Sequence, residues 1–348
     1  METLPPGVLA ALVGLSAGAI LGLAARLGDF CTLGALESAA YGADQRRLRL
    51  WGIVLGVAII GTFLAEAAGL AAPTETFYHT IGWTPFASIL GGLVFGYGMA
   101  MAGNCGFGAL VRFGGGDLRS LVVVVVIGIF AFVTLSGPLA PLRAAIFPQN
   151  DATATQGIAH WLAARTGLPP LIFAFVVGLA ALSWALVHAP LRQKPAMIAW
   201  GVAAGLAVVW CFVGTTWLWH ESFGEIGVEG PSFTAPLGRT IIFFMTSTAG
   251  GISFSVGMVA GVLGGAFAGS TIRGLFRWEA CEDPRELGRQ VSGAALMGIG
   301  GTLALGCSVG QGVTAMATLA ISAPVTLAAI AVGGLFGLRQ LIGGFQPD

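Results

Sequence analysis

The sequence predicts an all-α polytopic membrane protein, and three observations carry this prediction. Of the 348 residues, 56% are hydrophobic and only 9% are charged, whereas soluble domains average about 25% charged residues. Apolar runs long enough to cross a bilayer as helices recur along the whole chain. The 55 glycines follow no collagen-like period, and transmembrane helices use glycine to let their backbones pack closely. A soluble globular protein and a disordered chain are both excluded.

Nine candidate spans can be read in order along the chain. They cover roughly 7–25, 48–71, 85–103, 118–138, 168–189, 196–219, 250–271, 287–305 and 322–344. The third and eighth are the weakest, because they are short and rich in glycine. The apolar stretch 236–248 is too short to span, so we expect it to lie on the surface or to re-enter. The segment 139–167 is predicted to be a long connector with a short helix near 156–165, and it matches no motif.

The distribution of charge predicts the orientation of the spans. With the N-terminus outside and the C-terminus inside, every basic residue except Arg143, Arg165 and Arg239 falls on the cytoplasmic side. The first residues lack the basic region of a secretory signal, so the first apolar run is expected to remain as a span. Sixteen basic and sixteen acidic residues cancel, so no overall field attracts nucleic acid.

Two glycine-rich segments share one motif and are predicted to point in opposite directions. Each is a short helix, a break at Cys-x-x-Gly and a further helix, with the sequences Gly103-Asn104-Cys105-Gly106-Phe107-Gly108 and Gly306-Cys307-Ser308-Val309-Gly310-Gln311-Gly312. Secondary transporters with inverted repeats bring such breaks together near the bilayer midplane, where non-helical backbone must be buried or line a cavity. We predict one transmembrane domain over 1–348, with inverted repeats at about 7–138 and 250–344 and connecting spans at 168–219.

Cys31 opens a third Cys-x-x-Gly motif, but it has no cysteine partner in the second half of the chain. Residues 22–26 resemble residues 269–273, because each segment is the end of an apolar helix and finishes in arginine. If the two segments are aligned, the position that matches Cys31 is about Trp278. Cys211 and Cys281 are interpreted as small hydrophobic residues in packing seams. The sequence contains no CxxC or HxxxH spacing, so no metal site is predicted.

The helix breaks are predicted to bind a small anion that carries a sulfur atom. A helix that begins inside a membrane presents free N–H groups and a positive dipole end, and glycine lets the backbone approach a ligand closely. Thiols add soft, polarizable groups and weak S–H donors. The predicted binding and transport residues are Cys31, Cys105, Cys307, Asn104, Gly106, Gly108, Gly306, Ser308, Gly310 and Gln311. Three of these, Asn104, Ser308 and Gln311, can bond either the anion or the opposing backbone.

Two other functions stay open on the sequence alone. Cys105 and Cys307 could cycle between thiols and a disulfide in a membrane redox protein or sensor, although no haem, flavin or quinone site is evident. The cysteines could instead pack the walls of a channel for another small solute. Glu66 lies near the outer end of the second span, where a solvated or hydrogen-bonded structural role is the simpler interpretation. No nucleotide-binding motif is present, and the chain is not predicted to be an enzyme.

The Cys-x-x-Gly motifs at Cys31, Cys105 and Cys307, with GNCGFG and GCSVGQG closing the glycine-rich hairpins, resemble those of the YeeE/YedE family of sulfur-compound permeases. The resemblance covers nearly the whole chain and implies nine transmembrane helices in an hourglass-shaped inverted repeat, no cofactor, and the bacterial inner (cytoplasmic) membrane. It implies that Cys31, Cys105 and Cys307 hand thiosulfate, or a related sulfur or selenium species, along by S–H···S contacts. The implied partners are the lipid bilayer and a small cytosolic TusA-like sulfur-carrier protein.

Overall fold

Nine long helices form the protein in the computed structural model, which describes residues 5–248, 250–280 and 283–343. They are α1 (Pro6–Leu27), α2 (Arg46–Ala67), α3 (Pro85–Ala102), α4 (Leu118–Leu135), α5 (Pro170–Leu186), α6 (Pro195–Glu221), α7 (Phe254–Ile272), α8 (Pro284–Leu303) and α9 (Ser322–Gly343). Each coincides with one predicted span, which confirms the all-α polytopic fold. Seven of the described helices are long and apolar enough to cross a membrane. The other two are α5, which has 17 residues, and α8, which begins with charged residues.

The contact between α1 and α7 shows that these two helices run parallel. A Cβ on Gly14 would lie 2.8 Å from the backbone nitrogen of Met258, and a Cβ on Gly22 would lie 2.7 Å from that of Ala266. Both helices therefore advance together along the contact. Glycine is needed at these positions because the backbone of the neighbouring helix fills the space of a side chain.

This parallel contact corrects one prediction. Residues 22–26 and 269–273 were matched as parts of opposed repeats, but members of an inverted repeat run in opposite directions. The match of Cys31 with Trp278, which followed from it, is wrong. Two helices that each end in arginine look alike in sequence, whichever direction they take through the bundle.

The glycine-rich helices α3 and α8 do run in opposite directions, as predicted. A Cβ on Gly91 would lie 2.7 Å from the carbonyl oxygen of Gly300, and one on Gly98 would lie 2.5 Å from that of Gly293. The residue numbers rise along one helix as they fall along the other. This antiparallel contact brings the two cysteine breaks, which follow α3 and α8, toward the middle of the bundle from opposite ends.

Arginine side chains tie the helices together at one end of the bundle, which we call the arginine-rich end. Arg26 Nη2 donates to the carbonyl of Val111 at 2.9 Å, and Arg273 Nη2 donates to that of Leu27 at 2.6 Å. Arg119 forms an ion pair with Asp117 at 3.2 Å. Guanidinium groups satisfy carbonyls that the ends of helices leave without an intrahelical partner.

The connector between α4 and α5 packs across the opposite end, which we call the connector end. It contains the short helices Ala140–Ile146 and Ile158–Thr166, and the second confirms the helix predicted near 156–165. Ile158 N donates to the carbonyl of Leu319 at 2.8 Å, so the connector is bonded to the loop before α9. The stretch predicted at 236–248 is the helix Ala235–Thr246, which is buried in its first turns and exposed at its end.

Two histidines and Glu66 form a titratable cluster at the connector end. His160 Nε2 lies 3.0 Å from Glu66 Oε1, so the carboxylate at the end of α2 has a hydrogen-bonded structural role. The rings of His79 and His160 lie 5.9 Å apart, and the His79 side chain is only 2% exposed. Burial, and then the neighbouring His160 ring, lowers the pKa of His79 from 6.5 to about 4.

We expect His79 to make the folded protein sensitive to acid. Its folded pKa lies below the unfolded value, so its contribution to stability is complete above pH 6.5 and is lost as pH falls toward 4. The loss is about 3 kcal/mol, because one pKa unit corresponds to about 1.4 kcal/mol. Melting temperatures of the purified protein, measured from pH 7.5 to pH 4.5, will fall more steeply for the wild type than for His79→Gln. The exposed His220 provides the control, and equal acid sensitivity of His79→Gln and wild type would contradict the prediction.

Candidate functional site

The Cys-x-x-Gly motifs that begin at Cys31, Cys105 and Cys307 each place the cysteine directly before a short helical segment. Cys31 precedes Thr32–Ala40, Cys105 precedes Gly106–Gly114, and Cys307 precedes a helical turn that continues into the π-helix Gly310–Ala315. π-Helical turns are rare and occur frequently at functional sites. All three cysteines are free thiols, as is Cys211. Cys281 lies outside the described residues.

The glycine three residues after the cysteine completes a cap in which sulfur accepts a backbone hydrogen bond. Gly108 N donates to Cys105 Sγ at 3.4 Å, and Gly310 N donates to Cys307 Sγ at 3.3 Å. The sulfur thus occupies the place that a serine or aspartate oxygen usually takes at a helix N-terminus. It faces the positive end of the helix dipole. The spacing of the motif is therefore the spacing of this cap.

Cys31 holds the same position before its helix, on the side of the arginine-rich end, but without a cap hydrogen bond from its side chain. A Cβ on Gly34 would lie 3.7 Å from Cys31 Sγ, the same distance that separates a Cβ on Gly108 from its own cysteine. The Cys31 side chain is half-buried, whereas the other two thiols are buried. The Cβ position on Gly34 would also lie 2.8 Å from Arg47 Nη1. The Arg112 guanidinium is a second positive charge in the neighbourhood of the Cys31 thiol. Cys31 is therefore a thiol beside two cations.

Polar groups of the segment before the helix Ala235–Thr246, together with Tyr78, converge on Cys307. Phe233 N donates to Cys307 Sγ at 3.2 Å, and Ser232 Oγ lies 3.9 Å from the same sulfur. The hydroxyls of Tyr78 and Thr234 are buried and have no hydrogen-bond partner among the described residues. The Tyr78 hydroxyl lies beside the break, because a Cβ on Gly306 would be 3.4 Å from it. Buried polar groups are nearly always paired, so unpaired hydroxyls beside a thiol indicate a place built for a ligand.

A cavity of about 280 Å³ opens beside this cluster at the connector end. Its wall includes Gly306, Ser232 and Thr234, so it reaches the cysteine break. Arg239 and Glu229 also line the cavity, with Nη1 and Oε1 3.1 Å apart. A water occupies about 30 Å³ of liquid, so the cavity has room for a small anion with part of its hydration shell.

The three breaks meet at a pair of buried hydroxyls. Thr32, which follows Cys31, donates from Oγ1 to Ser308 Oγ at 3.1 Å, and Ser308 follows Cys307. The same Thr32 oxygen lies 3.9 Å from Cys105 Sγ. Thr32 directly follows Cys31, and its partner Ser308 directly follows Cys307, so the Cys105 sulfur lies beside the residues that adjoin both other cysteines. Cys105 is thus the central thiol of the three.

Aromatic rings enclose the thiols. Trp51 and Phe30 have ring centroids 5.0 Å apart, Phe30 and Phe107 are 6.1 Å apart, and Phe107 and Phe233 are 5.0 Å apart. Phe30 precedes Cys31, and Phe233 donates its N–H to the Cys307 sulfur. The rings exclude water from the thiols, and hydrogen bonds and dipoles act more strongly in a medium of low dielectric constant.

The polar side chains predicted beside the breaks divide into two groups. Asn104 is buried, and its Oδ1 has no partner among the described residues, so its amide is available to a ligand. Gln311 is bonded to backbone instead, because its Nε2 donates to the carbonyl of Ala304 at 2.8 Å. Its Oε1 accepts a hydrogen bond from Ser322 Oγ at 3.4 Å. Ala304 belongs to the same break as Gln311, so this bond is neither to an anion nor to the opposing backbone, the two roles that the sequence left open.

The predicted glycines lie at the breaks for different reasons. Gly306 has φ of +154°, a conformation that favours glycine. A Cβ on Gly106 would lie 2.6 Å from the carbonyl oxygen of Phe233, so glycine there lets the two halves of the bundle touch. Gly108 and Gly310 supply the N–H groups that bond the sulfurs. Clearance and capping, as well as access to a ligand, therefore account for these residues.

A family model described as sulphur transport matches residues 27–336, a range that contains all three cysteine motifs. The chain belongs to the sulphur transport family. The resemblance to sulfur-compound permeases is therefore confirmed, and the protein is a multi-pass membrane transporter for sulfur compounds.

Two named proteins align with this chain over most of its length. The chain is 24% identical over 322 residues to a protein named thiosulfate transporter TsuA from Spirochaeta thermophila, covering 89% of this chain and 92% of the relative. It is also 24% identical over 326 residues to a thiosulfate transporter TsuA from Escherichia coli, covering 88% of each chain. Both alignments extend over nearly the whole transmembrane domain.

Sequence reasoning missed the hydroxyls of this sulphur transport protein. They belong to Thr32, Tyr78, Ser232 and Thr234. Single serine, threonine and tyrosine residues occur throughout membrane helices and carry no spacing of their own. One signal was present, because Ser232 and Thr234 directly precede the short apolar helix Ala235–Thr246, where such residues often begin helices.

Proposed function

We propose that the protein takes up thiosulfate, or a closely related sulfur-containing anion, by passing it along the thiols of Cys307, Cys105 and Cys31. The observation that carries the proposal is the convergence of the three helix starts that follow the cysteines, two of them capped by sulfur, on the hydroxyl pair of Thr32 and Ser308. The names of the two relatives support thiosulfate as the substrate.

The chemistry of the path fits an anion with one soft end and several hard oxygens. The anion enters the cavity, where the Tyr78, Ser232 and Thr234 hydroxyls donate to its oxygens and the Cys307 S–H contacts its terminal sulfur. It then moves to Cys105 and leaves past Cys31. Weak S–H contacts of similar strength at successive positions favour passage over trapping, because a permeant must bind well enough to enter and weakly enough to leave. No covalent bond forms in this sequence.

We propose the bacterial inner membrane as the location, with the N-terminus outside and the C-terminus in the cytoplasm. The positive-inside rule supports this orientation, because the arginine-rich end then lies in the cytoplasm. The cavity and the connector face outward, and Cys31 lies nearest the cytoplasm with Arg47 and Arg112. A TusA-like sulfur-carrier protein would receive the anion there.

We also propose two inverted repeats with revised limits, residues 6–135 and 195–343, with 140–186 between them. The order of elements supports this pairing: α1, α2, α3 and α4 correspond to α6, α7, α8 and α9. The short helix Thr32–Ala40 then corresponds to Ala235–Thr246, and Thr234 takes the place of Cys31. The second repeat thus carries a hydroxyl where the first carries its third thiol.

Uptake into proteoliposomes tests the proposed function. Purified protein reconstituted in liposomes is expected to accumulate ³⁵S-thiosulfate, and unlabelled thiosulfate is expected to compete better than sulfate, which lacks the soft sulfur. Uptake no greater than that of protein-free liposomes would overturn the proposal. Equal competition by sulfate would overturn the role of the thiols in recognition.

Arg239 is expected to raise the affinity for the anion at the outer cavity. Arg239→Gln will raise the KM for thiosulfate about tenfold, because one cation at the mouth of a cavity concentrates an anion there. Glu229→Gln will lower KM, since Glu229 Oε1 is the carboxylate oxygen that partly neutralises Arg239. Uptake rates over a range of thiosulfate concentrations provide the measurement.

The control for Arg239 is Arg165→Gln. The Arg165 guanidinium stacks over the Trp161 ring, 4.2 Å from its centroid, and Arg165 does not line the cavity. An unchanged KM in Arg239→Gln, or an equal change in Arg165→Gln, would contradict the assignment.

A further inference from the structure

Thr32 is the hydroxyl that contacts the breaks of both halves of the molecule. Its Oγ1 is 3.1 Å from Ser308 Oγ in the second half and 3.9 Å from Cys105 Sγ in the first half. Thr32 itself follows Cys31 in the chain. One side chain therefore connects the helix ends of all three cysteine motifs.

Thr32 and the residues that it contacts are buried, so the proposed transport path is closed at this point. The exposed fractions are 6% for Thr32 and 0% for both Ser308 and Cys105. An anion that moves from Cys307 to Cys31 past Cys105 has to pass this hydroxyl pair, because the pair contacts the central thiol and adjoins the other two. The pair satisfies itself in the resting protein, since Thr32 donates its proton to Ser308.

Besides the backbone N–H groups at the helix starts, the centre offers the Thr32 and Ser308 hydroxyls as donors for hard oxygens. The backbone N–H of Gly108 is already bonded to the Cys105 sulfur, and a thiol is only a weak donor. A buried anion oxygen without a donor is costly. The Thr32 and Ser308 protons can rotate from each other to an anion, because a hydroxyl proton turns freely about the C–O bond.

We propose that Thr32 is a specificity-determining residue of the transport path: its hydroxyl bonds Ser308 at rest and turns to an oxygen of the anion as the anion passes Cys105. The inference rests on the proposed function. It adds to the residues of the transport path one that is neither a cysteine nor a glycine of the Cys-x-x-Gly motifs. It assigns the oxygens of the anion to hydroxyls and the sulfur to thiols at the same position along the path.

The test compares Thr32→Val with Thr32→Ser in proteoliposomes. Valine keeps the shape of threonine and removes the hydroxyl, so the maximal rate of thiosulfate uptake is expected to fall at least tenfold. Serine keeps the hydroxyl and is expected to stay within about threefold of wild type. Ser308→Ala is expected to fall as Thr32→Val does, which provides a second variant if either one folds poorly.

Two further measurements separate this role from a merely structural one. The equilibrium Kd for thiosulfate is expected to stay unchanged in Thr32→Val, because the outer cavity beside Cys307 is untouched, while the rate falls. Thr62 is the matched control, as it is fully buried and its Oγ1 has no partner among the described residues. Thr62→Val is expected to retain both the rate and the melting temperature.

The outcomes are distinguishable from a failure of the proposed function. If wild type transports thiosulfate and Thr32→Val transports it equally well, the inference on Thr32 is overturned and the proposed function stands. If Thr32→Ser is as slow as Thr32→Val, shape and not the hydroxyl matters, which also overturns the inference. If wild type itself takes up no thiosulfate, the proposed function and the inference both fall.

Discussion

Replacement of Cys307 with alanine is expected to abolish thiosulfate uptake in a protein that still folds. Cys307 is the thiol beside the outer cavity, and its sulfur accepts the N–H groups of Gly310 and Phe233. Alanine removes both the soft contact for the anion and the acceptor of two buried donors. We expect a loss of uptake of at least 100-fold, with a moderate decrease in melting temperature of the kind that follows the loss of a helix cap.

Serine at position 307 separates these two effects. Its oxygen can accept the N–H of Gly310 as an ordinary N-cap does, so Cys307→Ser is expected to melt close to wild type. It lacks the polarizable sulfur, so transport is expected to remain at least 100-fold reduced. Transport by Cys307→Ser at the wild-type rate would show that a capping acceptor suffices and would contradict the relay along thiols.

Cys105 is expected to behave as Cys307 does, because it is the central thiol and caps its own helix. Cys211 provides the matched control: it is fully buried and lies in the middle of the continuous helix α6, away from the helix breaks, although Gly214 follows it at the same Cys-x-x-Gly spacing. Cys211→Ala is expected to transport at the wild-type rate. A similar loss in Cys211→Ala and Cys105→Ala would mean that any buried cavity impairs transport, and the assignment of Cys105 would then fail.

Replacement of Gly257 with leucine is expected to prevent the folding of the bundle. A Cβ at this position would overlap the carbonyl of Ala11 and lie 2.7 Å from its Cα atom. The obstacle is backbone and cannot rotate away, so α1 and α7 would have to separate. Overpacking in a well-packed core costs about 1–3 kcal/mol, and we expect the upper end of that range or more because a whole helix contact is lost.

The matched control for Gly257 lies on the same helix. Gly264 is exposed, and a Cβ there would meet nothing within 4 Å, so Gly264→Leu is expected to give monodisperse protein with an unchanged melting temperature. Size-exclusion profiles and melting curves in detergent provide the measurement. A well-folded Gly257→Leu protein would show that the contact between α1 and α7 is not as close as the structure has it.

Local features of the candidate site could be predicted from the sequence. The cysteines, the glycines three residues later and the opposed direction of α3 and α8 all followed from short motifs and the order of the spans. These features depend on neighbours within a few residues, such as the N–H of Gly108 that bonds Cys105 Sγ. Motif spacing records this kind of contact directly, because a cap requires its donor at a fixed distance along the chain.

The hydroxyls of the site could not be predicted in the same way. Thr32 and Ser308 are separated by 276 positions, and Tyr78 belongs to the short helix Phe77–Thr80, which lies in a loop. Gln311 illustrates the converse, since it stands in the motif yet bonds the backbone of Ala304. Which polar side chain faces the path depends on how the two halves of the bundle meet, and hydropathy does not contain that information.

The sequence alone determined that this protein is an all-α polytopic membrane protein with Cys-x-x-Gly motifs at breaks between its helices. Hydropathy and cap spacing are local properties, so each could be read from a stretch of about 20 residues. Only the tertiary structure decided that α1 packs against α7 and that Thr32 meets Ser308 against Cys105. These are long-range contacts, and they depend on close backbone packing at glycines that look alike in sequence.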